Sequence, residues 1–130
     1  MSGTTENFLF GRTYTAASAL SKYAVVVYGT EARQVKAPAA ALDGGIAGVT
    51  QDAASASGDT ILVMKEGISK AIASEAISVG IEVGISDVEG RVSDPAVWAS
   101  GDGVLGVAET AATASGDIFE CWLQVRKELG

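Results

Sequence analysis

The sequence predicts an all-β protein, a small β-barrel or β-sandwich built from two duplicated halves and carrying an extended N-terminal arm. Three observations point there. Residues 48–59 (Gly-Val-Thr-Gln-Asp-Ala-Ala-Ser-Ala-Ser-Gly-Asp) return as residues 106–117 (Gly-Val-Ala-Glu-Thr-Ala-Ala-Thr-Ala-Ser-Gly-Asp), 58 positions later. Short β-branched or alternating apolar runs follow each copy at matching places. The chain is 48% hydrophobic with 16 glycines, too apolar for a disordered segment and too glycine-rich for a helical bundle.

The same offset of 58 also aligns Val25 with Val83, Glu31 with Glu89, Arg33 with Arg91, Ala41 with Ala99 and Gly45 with Gly103. A chain of 130 residues fits one compact domain better than two. The expected organisation is therefore an arm over residues 1–21 and a single β-barrel domain over residues 22–130, with its internal repeat at about 24–65 and 82–123.

The arm comes first. Residues 7–14 hold Phe8, Phe10 and Tyr14, three of the six Phe and Tyr residues, and have no partner in the repeat. These aromatics can pack on the domain's own core, or the segment can add as a strand to a neighbouring subunit's sheet. In the second case, removing residues 1–14 leaves the fold intact and weakens attachment.

Residues 23–28 are rich in valine and predict a buried strand, with residues 81–86 as its mate. In the second copy Asp87-Val88-Glu89-Gly90 supplies a turn and Arg91-Val92 a return strand, so residues 81–92 form a hairpin, and residues 29–35 do the same in the first copy. The small-residue stretches 37–42 and 95–99 hold either one helical turn or an irregular loop. A short strand then starts at Ile46 or Val104, and a further strand is launched by Ser-Gly-Asp. Residues 68–76 link the halves; helical spacing is possible there, but Gly67 and the Ile-Ser-Lys alternation favour strand.

The final strand alternates. Phe119, Cys121, Leu123 and Val125 fall on one face, with Glu120, Trp122, Gln124 and Arg126 on the other. By alignment Ile61 and Val63 share the core face, while Leu62 and Met64 share the face of Trp122. An outward apolar triple calls for cover by a partner subunit or the arm. Phe8, Phe10, Tyr14, Leu62, Met64 and Trp122 are accordingly the candidate interface residues.

Reactive chemistry is sparse, and no catalytic residue, cofactor or metal site is expected. Cys121 is the single cysteine and histidine is absent, which excludes an internal disulfide framework, a multi-thiolate zinc site and a histidine-activated nucleophile. A buried strand thiol is expected instead. Asp59 and Asp117 are symmetric acids, as in a duplicated aspartic-protease dyad, but that dyad needs Asp-Thr/Ser-Gly and the order here is Ser-Gly-Asp; a turn role fits. Asp43, Asp52, Asp59, Asp87, Glu89, Asp94, Asp102 and Asp117 lack the spacing of an EF-hand calcium loop. The glycines at 44, 45, 48, 101, 103 and 106 build no phosphate loop, because no Gly-Lys-Thr/Ser ending follows them.

A net charge of -7 and a pI near 4.4 argue against nucleic acid as a partner. The run 24–28 is far shorter than the roughly 20 apolar residues a bilayer requires, and the first residues lack a secretory leader's basic start and apolar core. A soluble protein made in a reducing cytoplasm, without a membrane partner, is expected.

The stretch from Gly48-Val49 through Ser57-Gly58-Asp59-Thr60-Ile61-Leu62-Val63, the turn Asp87-Val88-Glu89-Gly90-Arg91-Val92, and Gly103-Val104-Leu105-Gly106-Val107-Ala108 through Ser115-Gly116-Asp117 resemble the capsid cement proteins of tailed phages. These small β-barrels include the head decoration proteins of lambda-like phages. The resemblance spans about residues 24–125. It implies a non-enzymatic protein on the outside of the expanded head, trimeric over capsomer junctions, with the major capsid protein and its own copies as partners. It also implies an N-terminal segment, here residues 7–14, that reaches capsid subunits. The alternatives are a β-rich subunit or adaptor of another viral or tail assembly, or a small ligand-binding barrel. The last requires aromatic and polar groups that converge, and nothing in their spacing brings Trp98 and Trp122, the only tryptophans, together.

Overall fold

The computed structural model describes residues 7–129, which are all-β, with no helix among them. Nine strands follow one another: β1 (Asn7–Ala16), β2 (Val25–Tyr28), β3 (Gln34–Lys36), β4 (Ile46–Thr50), β5 (Thr60–Ile72), β6 (Glu82–Ile85), β7 (Val92–Ser93), β8 (Gly103–Ala108) and β9 (Ile118–Lys127). They hydrogen-bond in the order β1-β3-β2-β4-β5-β9-β8-β6-β7, and an added β1–β5 pairing closes the first five into a barrel. Closure removes the free sheet edges of that half.

β5 belongs to both halves. Its beginning pairs with β1 and β4, while Gly67 to Ile72 pair with Leu123 to Ile118 of β9. Of the segment 68–76 expected as a strand between the halves, residues 68–72 are the continuation of one 13-residue strand and the remainder lies beyond its end. The expected hairpin is present as β6 and β7, with Gly84 opposite Ser93 and Ile85 opposite Val92. The small-residue stretches take the irregular course.

Hydrogen bonds recur between the halves and correct the expected register. Ala16 N–H donates to the Asp59 carbonyl at 2.8 Å, and Ala73 N–H to the Asp117 carbonyl at 2.9 Å. Gly58 N–H returns to Ala16 at 2.8 Å, and Gly116 N–H to Ala73 at 2.7 Å. The motif residues stay 58 apart, but their earlier partners are 57 apart. Val83 therefore corresponds to Val26, each opposite a glycine (Gly106 and Gly48), and not to Val25. Gly90 corresponds to Arg33, both at positive φ (81° and 58°), as Gly80 does to Tyr23 (84° and 62°). The one-residue slip lies between Val92 and Gly103, where the second half's loop is longer by one residue. Three consecutive valines at 25–27 hide such a slip, because each placement aligns valine with valine.

Two buried clusters fill the structure. Tyr14, Ala16, Leu20, Val26, Val35, Ala47, Ala54, Ile61 and Val63 fill the first barrel. Their counterparts Ala71, Ala73, Ile77, Val83, Val92, Leu105, Ala112, Phe119 and Cys121 lie in the second cluster. Volume moves between positions while the total is kept: tyrosine becomes alanine at 14/71, while alanine becomes leucine at 47/105 and isoleucine becomes phenylalanine at 61/119. Val25, Val27, Ile46, Val49, Met64, Ile85, Ala108 and Leu123 complete the second cluster, which takes in residues of both halves and so seals the seam between them.

The seam corrects the placement of Met64, expected to face outward. Val63 points into the first core and Met64 into the second, so both faces of β5 are covered there. The outside of one barrel is the inside of the seam. A strand buried on both faces carries a near-continuous apolar run, and β4 is buried at all five positions for the same reason.

Candidate interface at the fork of β4, β5 and β9

β1 runs along one edge of β5, with Phe10 opposite Glu66 and Phe8 opposite Gly67. The other edge is shared. β4 occupies it at Val63 and Met64, and β9 takes over at Gly67. Both strands run antiparallel to β5 and would compete for the same place between these points, so they diverge. Lys65 and Glu66 are left with no strand partner on that edge among the described residues. The divergence opens a surface cleft of 780 Å³ lined by Phe10, Tyr28, Lys65, Glu82, Val125 and Arg126, among others.

Lys65 anchors the cleft floor. Its ammonium donates to the hydroxyls of Tyr14 (3.0 Å) and Tyr28 (2.8 Å) and to the carbonyl of Ala47 (2.8 Å), joining β5 to β1, β2 and β4. Its three protons thus meet three neutral acceptors. The same ammonium sits 4.9 Å from the Tyr28 ring centre and 5.3 Å from that of Tyr14, within cation–π range. The two rings meet edge to face at 6.4 Å. No carboxylate pairs with Lys65 among the described residues. Across the cleft, Arg126 is paired with Glu82.

This arrangement sets two titrations. The hydrogen bond from Lys65 holds the Tyr28 hydroxyl below the ordinary tyrosine value. Burial pulls Lys65 down, but the two tyrosine hydroxyls outweigh it and leave Lys65 raised. The depressed Tyr28 contributes stability fully above the unfolded tyrosine value of about 10, and loses it as pH falls through the folded value. The raised Lys65 contributes fully below about 10.4 and loses it as pH rises through its folded value. The contact is therefore strongest in the alkaline window between the two folded values. An absorbance titration of tyrosinate should show one early-ionising tyrosine in the wild type. Lys65→Met should return it to the ordinary range, and an unchanged titration would break the assignment.

The six expected interface residues separate. Tyr14 and Met64 are buried, and Leu62 is half-buried. Phe8 and Phe10 remain 46% and 49% exposed, Phe10 at the cleft and Phe8 folded over the backbone of Gly11. Trp122 is 47% exposed on the outer face of β9, opposite Ile68 and Val107, away from the cleft lining. Val125 corrects the alternation: expected on the face of buried Phe119, Cys121 and Leu123, it is 39% exposed, because a register shift after Leu123 inserts an extra residue into β9 and brings Arg126 rather than Val125 into phase with Leu123. Tyr28, Lys65 and Val125 were not among the interface residues expected from the sequence, and Val125 was placed on the core face. The available signal was the lysine at position 65, where the second copy has buried Leu123.

The duplicated acids are turn anchors. Asp59 accepts the Ser55 N–H (2.8 Å), the Ser55 hydroxyl (2.9 Å) and the Ala56 N–H (3.2 Å). Asp117 accepts the Thr113 N–H (2.9 Å), the Thr113 hydroxyl (2.7 Å) and the Ala114 N–H (3.1 Å). Each carboxyl is held below the ordinary aspartate value, Asp59 chiefly by the Ser55 N–H and Asp117 chiefly by the Thr113 hydroxyl. Cys121 is a buried strand thiol, as expected, with its pKa pushed up to about 12 by burial and, secondarily, by Glu109.

Fold and site together define a small all-β barrel protein with a part-apolar cleft at a strand fork. No family model matches the chain, and no curated protein does. Its fold is similar to that of a solved structure, the head fiber gp8.5 N base in bacteriophage phi29, at a TM-score of 0.63 and 19% identity, covering 93% of this chain and 98% of that one. At that identity the likeness is one of fold.

Proposed function

We propose that this chain is a structural protein of a tailed-phage head, a capsid decoration protein that binds the outer surface of the expanded head and stabilises it against the pressure of packaged DNA. The observation that carries this reading is the near full-length likeness to the base of a phage head fiber, together with the repeated motifs that resemble capsid cement proteins. On this reading the two halves are copies of one structural unit and the role is not enzymatic; the engagement in turns of the aspartates that might have formed a dyad, and the burial of the lone thiol, support it.

Its partners are the major capsid protein and its own copies, assembled as trimers at capsomer junctions. Linking three modest contacts raises avidity by about 100-fold or more without any single tight site. A net charge of -7 suits a surface remote from the genome. The test is to sediment the purified protein with expanded and unexpanded heads of its parent phage and count bound copies. Saturable binding to expanded heads alone, in multiples of three per junction, is expected; binding to neither form would overturn the reading.

A further inference from the structure

Resting on that reading, we propose that the fork cleft receives an extended, carboxylate-bearing segment of the shell protein, added as a strand along the freed edge of β9. Three independent features of the cleft identify this occupant.

The first is backbone chemistry. β9 continues to Lys127, but its last β5 partner is Leu123; beyond that point, among the described residues, it pairs only with β8, across a register shift, through Arg126 opposite Val104 and Lys127 opposite Gly103. Its other edge faces the cleft. An unpaired edge offers N–H and carbonyl groups in the spacing of another extended chain, which is the chemistry of strand addition.

The second is apolar surface out of place. Val125 is turned out of the core by the irregularity in β9 after Leu123, and Phe10 and Tyr28 line the same cleft 49% and 51% exposed. Ile85, the counterpart of Tyr28, is fully buried, and its carbonyl accepts the Leu42 N–H of the other half's loop at 2.8 Å. The second half is thus covered at this position by the chain itself. The equivalent place in the first half is open.

The third is charge. Glu82 is taken by Arg126, and Glu66 also lines the cleft. Lys65 keeps a part-buried positive charge that, among the described residues, only neutral acceptors and aromatic faces meet. A carboxylate on the incoming segment supplies the missing counter-ion by displacing one exposed neutral acceptor, the Tyr28 hydroxyl, with a desolvated site strengthening the pair. An apolar side chain of the same segment then lies between Phe10, Tyr28 and Val125.

The test uses the head-sedimentation assay with three single variants, each first checked for wild-type melting. Val125→Asp sets a like charge against the occupant and should weaken head binding by about tenfold or more. Val125→Lys loses the same apolar contact but attracts the carboxylate, so it should bind heads more tightly than Val125→Asp, and equal weakening of the two would overturn the charge assignment. Val79→Asp, on a distant exposed turn, should bind normally. Wild-type binding with Val125→Asp unimpaired, or with both aspartate variants impaired alike, overturns the cleft assignment alone. Failure of the wild type to bind any head overturns the decoration reading and this inference with it.

Discussion

Gly106→Val should leave the chain without a cooperative thermal transition, because a side chain at this position has nowhere to go. A Cβ on Gly106 would fall on the carbonyl oxygen of Trp122, with the carbonyl carbon at 2.9 Å and the Gln124 nitrogen at 3.0 Å. All three atoms are β9 backbone, and Trp122 is held between Ile68 of β5 on one side and Val107 of β8 on the other. They cannot swing aside as a flexible side chain would. Overpacking among side chains costs about 1–3 kcal/mol, and forcing two paired backbones apart costs more, against a total stability of about 5–15 kcal/mol. Gly48 makes the same approach to the Met64 carbonyl in the first half, next to a register shift between β2 and β4. Gly116 is the useful contrast. Nothing lies within 4 Å of a Cβ there, and its φ is 90°, so Gly116→Ala should cost only about 1 kcal/mol of backbone strain. Circular-dichroism melts of the pair decide the matter: a Gly106→Val transition within a few degrees of wild type would sink the close-approach argument.

These two glycines also show what a sequence of this kind discloses. The recurrence of Gly-Val and Ser-Gly-Asp was visible because turns and close backbone approaches constrain residue type directly. The β6–β7 hairpin was visible for the same reason, since Gly90 sits at φ 81°. The buried face of β9 at Phe119, Cys121 and Leu123 followed from a period of two. What stayed hidden depends on which elements meet. Met64 has the parity of an outward residue, and only the seam between the halves, a tertiary fact, makes that face an inside. Val125 has inward parity by simple alternation, and only the irregularity in the β8–β9 ladder after Leu123, where β9 has left β5, turns it outward. Lys65, Tyr14 and Tyr28 come from three strands distant in sequence, so their convergence has no local signature. The one-residue slip was masked by a run of identical valines.

The aromatic segment at the N-terminus is where the structure most changes an expected experiment. As an arm, residues 1–14 could be removed without harm to the fold. In the structure residues 7–16 are β1, paired with β5 from Asn7 opposite Ile68 to Thr15 opposite Thr60. Tyr14 is only 5% exposed in the first core, and its hydroxyl takes one of the three Lys65 protons. Removing residues 1–14 therefore opens the barrel, exposes the β5 edge, empties the site of a buried aromatic side chain at about 3–5 kcal/mol, and strips Lys65 of an acceptor. The expected result is loss of the cooperative melt or aggregation through the bared edge. Removing residues 1–6 leaves every paired residue of β1 in place and should preserve the wild-type melt. The short deletion thus tests attachment and the long one tests closure. A folded, monodisperse product from the 1–14 deletion would show that β1 is dispensable and that the barrel closes without it. A folded 1–6 deletion that no longer binds heads would assign attachment to those six residues rather than to the cleft.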